Sequence, residues 1–200
     1  LNILSGFTQL ITSPDIELDK EELDKINRDI VENTERITRL VNKMPELSDA
    51  SSCAVIERNN VVPALQVAAE AIDTIGFSNP QGFDFDFQLS PDAEAVNLQT
   101  NLRSAVRALT LILDNARKFA SKERPLKIVL RLSVVDDKVE YAVEDNGIGV
   151  PSEESEHIFE EFVQLDEFYE GTGIGLTVAR SIARRLGGDI VLDTTYHSGS

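Results

Sequence analysis

The stretch Asp145-Asn146-Gly147-Ile148-Gly149 follows an alternating run, Lys138 to Glu144, that reads as a strand. A second glycine run, Gly171-Thr172-Gly173-Ile174-Gly175, leads into Leu176 to Leu186, whose spacing predicts a helix. Glycine lets the backbone take left-handed dihedrals and come close to a ligand. N–H groups at a helix start, with the helix dipole behind them, suit phosphate oxygens. The two turns therefore read as two sides of a nucleotide pocket. The fold has to bring them to one space.

The helix predicted over Leu102 to Ala120 supplies candidate partners. At about 100° per residue, Leu102, Val106, Leu109, Leu113 and Ala120 share one side, while Leu111, Asn115, Lys118 and Phe119 lie on another. An amide oxygen at Asn115 suits magnesium, a hard cation that favours oxygen ligands and substrate phosphates. Lys118 can meet a phosphate as a point charge, and the Phe119 ring can pack beside a base or sugar. The competing reading of Asn115 and Lys118 is a solvated helix face. Asp145 continues the set Val139, Tyr141, Val143 at a spacing of two, so it points to the same face. A carboxylate on an inward face needs a partner. An adenine amine is one such donor, in a bond contributing roughly 1.5–3 kcal/mol. Capping of the Gly147 turn is the other role open to it.

The remaining pattern mixes helices and strands. We expect a helix over Asn60 to Ile75, a strand through Phe83, Phe85 and Phe87, and a short strand from Ala95 to Leu98. A strand through Ile128, Leu130, Leu132 and Val134 turns at Asp136-Asp137. Gly187-Gly188 stops the final helix, and Ile190 to Leu192 reads as a last strand. Without strict alternation this predicts an α+β fold, a mixed sheet with helices on one face.

Upstream, Leu1, Leu4, Phe7 and Ile11 have helical spacing, ended by Ser13-Pro14-Asp15. A second helix is expected from about Lys20 to Met44. Its apolar positions Leu23, Ile26, Ile30, Ile37, Leu40, Met44 and Leu47 keep a heptad, with Asn33 in the remaining slot. A seven-residue repeat is the seam of a helix bundle. Two such helices cannot bury their seams alone, so we expect a homodimer of four helices through residues 1–48. Pro45 predicts a kink or break. Asp49-Ala50-Ser51-Ser52 reads as a linker, giving a helical appendage at 1–48, a linker at 49–55 and a globular domain at 56–200.

Composition narrows the partners. The formal charge is −16, from 35 acidic and 19 basic residues. That balance repels nucleic-acid phosphates. Cys53, the sole cysteine, excludes an internal disulfide and fits a reducing cytosol. No apolar run is long enough to cross a bilayer. With no initiating Met, the chain reads as a piece of a longer protein, whose remainder could carry a membrane anchor.

Taken in order, the motifs resemble the ATP-binding domain of sensor histidine kinases, in the wider GHKL family shared with gyrase-type ATPases. Leu113-Asp114-Asn115-Ala116-Arg117-Lys118-Phe119 resembles its N box, and Asp145 to Gly149 its first glycine box. Ile158-Phe159-Glu160-Glu161-Phe162 resembles the F box and Gly171 to Leu176 the second glycine box. The likeness covers about residues 55–195. Leu1 to Phe7 resembles the segment just after the phospho-acceptor motif, and Ile37 to Ser48 the end of the second dimerisation helix.

The resemblance implies a two-layer α/β sandwich of the Bergerat type, preceded by an antiparallel helical hairpin. It implies ATP and Mg2+ as cofactors. Asn115 would hold the metal, Lys118 a phosphate and Asp145 the adenine amine, with Phe119 and Ile148 beside them. Gly147 and Gly149 would let the backbone approach the base. Thr172, Gly173, Ile174, Gly175 and Leu176 would form the phosphate side, and Phe159 and Phe162 would tether the lid between Pro151 and Gly171. The implied activity is transfer of the γ-phosphoryl group to a histidine and on to a response-regulator receiver aspartate. The setting is the cytoplasm, with a parent protein free there or held at the inner membrane.

The sequence departs from the family in four places. No catalytic residue lies in the chain, because the phospho-acceptor histidine belongs upstream of Leu1, and His157 and His197 do not match it. Leu111 stands where the family often has a further Asn. The lid holds Asp166, Glu167 and Glu170 and no Lys or Arg. The usual closing hairpin is missing. A dimerising relay module with a degraded pocket is the competing reading. A gyrase-type ATPase would need a carboxylate early in the N-box helix, where Leu109-Thr110-Leu111 stands.

Overall fold

The computed structural model describes residues 19–51, 55–160, 163 and 173–195. The chain divides into two compact units, Leu1–Pro45 and Glu46–Ser200.

Helix α1 (Lys20–Ser51), which starts in the first unit, begins at a reciprocal cap. The Asp19 N–H donates to Glu22 Oε2 at 3.0 Å, and the Glu22 N–H donates to Asp19 Oδ1 at 2.9 Å, which satisfies two donors that a helix start leaves open. On the expected seam Ile26 is buried, and Leu23, Ile30 and Asn33 are half-buried. Asn33 donates its amide to the Asp29 carbonyl at 2.8 Å. The helix does not break at Pro45, and Asp49 to Ser51 are helical, not linker. A proline removes one donor at a cost of about 3 kcal/mol, yet it bends a long helix more readily than it ends one. The expected helix over Leu1 to Ile11 and its Ser13-Pro14-Asp15 stop lie outside the described residues.

The second unit is the mixed sandwich that the pattern predicted. Its elements are β1 (Asn60–Pro63), α2 (Ala64–Thr74), β2 (Asp84–Leu89), β3 (Asn97–Thr100), α3 (Leu102–Lys118), β4 (Lys127–Val135), β5 (Lys138–Asp145) and α4 (Gly175–Arg185). Strand β4 is central. It pairs parallel with β2 and antiparallel with β5. Ile128, Leu130 and Leu132 on its inner face are fully buried. Ile128 and Leu130 share a core with Val67, Ala68 and Ala71 of α2 and with Val106, Leu109 and Leu113 of α3, and Leu132 packs with Ala64 and Ala93. The other face is polar: Arg131 bonds Glu144 at 2.6 Å and Gln88 at 3.2 Å. The Asp136-Asp137 turn is as expected. Both residues have positive φ (49° and 60°), the signature of the two-residue type I′ turn that matches strand twist.

Three boundaries differ from expectation. Residues 60–63 form a strand and not the start of a helix, pairing antiparallel with β3. Pro63, at φ −57° and ψ 135°, is extended, so the helix starts only at Ala64. The short strand expected at Ala95 sits two residues later. The triplet Ile190-Val191-Leu192 forms no strand among the described residues, and Val191 is exposed. An apolar triplet makes a strand only where a neighbouring edge offers a ladder.

Candidate nucleotide site

Helix α3 is fixed at both ends by local chemistry. Asn101 caps it, accepting from the Ser104 N–H at 3.1 Å, a bond worth about 1 kcal/mol. Arg117 and Lys118 close it, where positive charge complements the helix dipole. Phe119 is the residue that leaves the helix, its N–H still bonded to the Asn115 carbonyl at 3.1 Å. From there the chain turns toward the first glycine loop. The Ile148 N–H donates to the Phe119 carbonyl at 3.0 Å, so the two motifs are joined backbone to backbone.

Asp145 ends β5 opposite Ile128 on the core face, as the alternation requires, and only 7% of it is exposed. Its Oδ1 accepts from the Gly147 N–H at 2.7 Å. The turn-capping role is therefore real. The turn fixes the direction of that carboxylate. A Cβ on Gly147 would lie 2.2 Å from the Phe119 carbonyl oxygen and 2.8 Å from Asp145 Oδ1, so only glycine closes this turn on α3. Gly149 takes φ 76°, while Ile148 is exposed.

Two residues that the sequence reading missed hold this loop. Arg124 donates to the carbonyls of Asn146 at 2.7 Å and Gly147 at 2.8 Å. Asn146 accepts from the Lys127 N–H at 2.7 Å and donates to the Pro125 carbonyl at 3.0 Å. The Asn-Gly pair was a usable turn signal for Asn146. A single arginine in a loop carries no periodic signal.

Asn115 is half-buried, and its side chain joins no hydrogen bond among the described residues. A half-buried amide without a protein partner fits a metal or phosphate ligand. Lys118 has a protein partner: its ammonium is paired with Asp114, which also bonds Arg117 at 2.7 Å. Burial opposes ionisation of Asp114, but the hydrogen bonds and charges of Lys118 and Arg117 prevail and hold its carboxyl below the usual range. An exposed pair of this kind is worth about 0–1 kcal/mol, so Lys118 can exchange Asp114 for a phosphate at little cost.

The second glycine motif is described from Gly173. That residue has φ 66°, Ile174 is buried, and Gly175 opens α4. A Cβ on Gly175 would meet nothing within 4 Å, so packing among the described residues does not demand glycine there. A glycine at a helix start leaves the backbone N–H groups open to close approach by a ligand. Leu176 is half-buried, and α4 packs against α3. Of the F box, Ile158 and Phe159 are buried, and the Glu160 carbonyl accepts from the Thr177 hydroxyl at 3.0 Å. Gly171, Thr172, Phe162 and about half of the lid lie outside the described residues. Among the described residues there is no cluster of His, Cys, Asp and Glu that could hold a metal.

A mixed sheet with helices packed on one face, a capped carboxylate at a strand end and a glycine-opened helix define a GHKL-type ATP-binding domain. A family model described as histidine kinase-, DNA gyrase B-, and HSP90-like ATPase matches residues 100–200, and the chain belongs to that family. It is 25% identical over 176 residues to the signal transduction histidine-protein kinase ArlS of Staphylococcus aureus, a match covering 85% of this chain and 38% of ArlS. The chain thus spans well under half the length of that relative. The fold is shared with histidine kinase ThkA in complex with response regulator protein TrrA (TM-score 0.61, 20% identity, 94% of this chain and 51% of that one). It is shared also with full-length ShkA in complex with AMPPNP (TM-score 0.59, 22% identity, 92% and 38%).

Proposed function

We propose that the chain is part of the catalytic core of a two-component sensor histidine kinase, with a Mg-ATP site built from α3, the β5 glycine loop and the start of α4. The observation that carries this is Asp145, buried on the core face and aligned by the Gly147 turn, directly beside the end of α3. Its carboxylate would accept the adenine amine. Asn115 would hold Mg2+, Lys118 would meet a phosphate, and the N–H groups of Gly173 to Leu176 would receive the phosphate oxygens. ATP, once bound, supplies the γ-phosphoryl group. The residues of this chain orient it, and positioning with charge neutralisation is most of what phosphoryl transfer needs.

Residues 1–48 serve as the dimerisation hairpin in this reading, with the half-buried seam of α1 facing other helices. The acceptor histidine stands upstream of Leu1 in the parent protein, and a response-regulator receiver aspartate takes the phosphoryl group next. The solved complex of ThkA with TrrA and the AMPPNP bound to ShkA support both partners by analogy. Among the described residues no helix is long and apolar enough to cross a membrane.

Radiolabelled ATP with magnesium tests the assignment. The 200-residue chain is expected to stay unlabelled, while the parent protein, extended upstream of Leu1, labels on histidine. Label on His157, which is bonded to Glu160 at 3.0 Å, or on His197 would overturn it.

A further inference from the structure

Arg180 is a buried cation in a domain whose other arginines lie nearer the surface. Only 8% of it is exposed, and burying a charge is costly unless it is paired. Its Nη1 donates to Glu156 Oε2 at 2.7 Å and its Nε to Asp189 Oδ1 at 3.0 Å. The guanidinium also lies over the Phe159 ring, 4.3 Å from its centroid, within cation–π range. The partners come from separate segments. Glu156 and Phe159 belong to the short 3₁₀ turns after β5, and Asp189 follows the end of α4. Arg180 lies on α4 itself, and the first turn of that helix carries Gly175.

We propose that Arg180 is a positioning residue for the nucleotide site. It fixes the start of α4, with the N–H groups of Gly173 and Gly175, against the Glu156–Phe159 turn. The inference rests on the nucleotide reading given above and adds to it a residue that never touches the ligand. A planar guanidinium presents separate donor edges to two carboxylates while its flat face lies over a ring, a geometry an ammonium reproduces less well. Asp145 and the first glycine loop are held by Arg124 and Asn146 instead, so the base side of the pocket does not depend on Arg180. Loss of Arg180 should therefore act on the part of nucleotide affinity that comes from the phosphates.

Calorimetric titration of the 200-residue chain with ATP and, separately, with adenosine, both in magnesium buffer, reads that split. Arg180→Met and Glu156→Gln should each weaken ATP binding by roughly tenfold, the order of one charge-assisted hydrogen bond. Adenosine affinity should change by less than about threefold. Arg180→Lys should recover part of the loss. Glu156→Gln alters an exposed side chain and leaves the core packing alone, and thermal melting checks that each variant is folded. Equal losses for ATP and adenosine, or an unchanged ATP affinity in Glu156→Gln, would overturn the proposal. A wild-type chain that binds neither ligand would sink the nucleotide reading itself. A wild-type chain that binds both, with unaffected variants, would sink only the role of Arg180.

Discussion

Gly147 has no room for a side chain, and that fact separates stability from binding at the first glycine loop. Gly147→Ala places a methyl group 2.2 Å from the Phe119 carbonyl oxygen, so the loop must pull away from α3. Overpacking of this kind typically costs about 1–3 kcal/mol, and thermal denaturation should show a lowered midpoint together with weaker nucleotide binding. Asp145→Asn tests the other side. The amide oxygen can still accept from the Gly147 N–H, but the remaining group becomes a donor and no longer suits an adenine amine. The melting temperature should stay close to wild type while ATP affinity falls by one to two orders of magnitude, the equivalent of about 1.5–3 kcal/mol. Unchanged affinity in a folded variant would leave Asp145 as a turn cap alone. At this scale the sequence was informative where a residue completes a period. The alternation Val139, Tyr141, Val143 placed Asp145 on the inner face before any coordinates. The alternation could not reveal Arg124 or Arg180, because each depends on a distant partner, Asn146 22 positions from Arg124 and Glu156 24 positions from Arg180.

At the scale of elements, α4 ends in a small charge network that makes stability depend on pH. Asp189 accepts from Arg180 and Arg184, each at 3.0 Å. Burial opposes its charge, but these bonds and the Ile190 N–H prevail and bring the carboxyl down to about 2 from 3.8. A carboxyl lowered in the folded state contributes stability above its unfolded value and loses it as pH falls through the folded one. The contribution should therefore be complete above about pH 4 and disappear toward pH 2. Thermal melts across that window should show a steeper decline in wild type than in Asp189→Asn, and identical slopes would contradict the network. Burial of Tyr141 against the Ala64 carbonyl, bonded at 2.8 Å, pushes its phenol well above the ordinary range, so it stays neutral across this window. Element type was legible wherever a period ran long, as in α3, β4 and β5. It failed at residues 60–63 and 190–192, where short runs built on two or three aliphatic residues fit helix, strand or neither until a neighbouring edge decides. The helix runs through Pro45 for a related reason: a local breaker need not end the long helix around it.

At the scale of the whole molecule, the account depends on base recognition and metal-assisted phosphate binding acting on one ligand. Four weak motifs in a fixed order carried that reading in the sequence. The structure joins the N-box helix to the first glycine loop through the Phe119 carbonyl and packs α4 on α3. Dimerisation through residues 1–48 and transfer to an upstream histidine are proposals that call for a longer protein to test. The nucleotide site is the part this chain can test by itself. The most direct measurement is titration of the chain with a non-hydrolysable ATP analogue, with and without magnesium, beside Asn115→Ala. The account predicts saturable one-to-one binding that weakens when magnesium is withdrawn. It predicts that Asn115→Ala loses this magnesium dependence while binding adenosine as wild type does. No heat at millimolar analogue, or a magnesium effect that persists in Asn115→Ala, would contradict it.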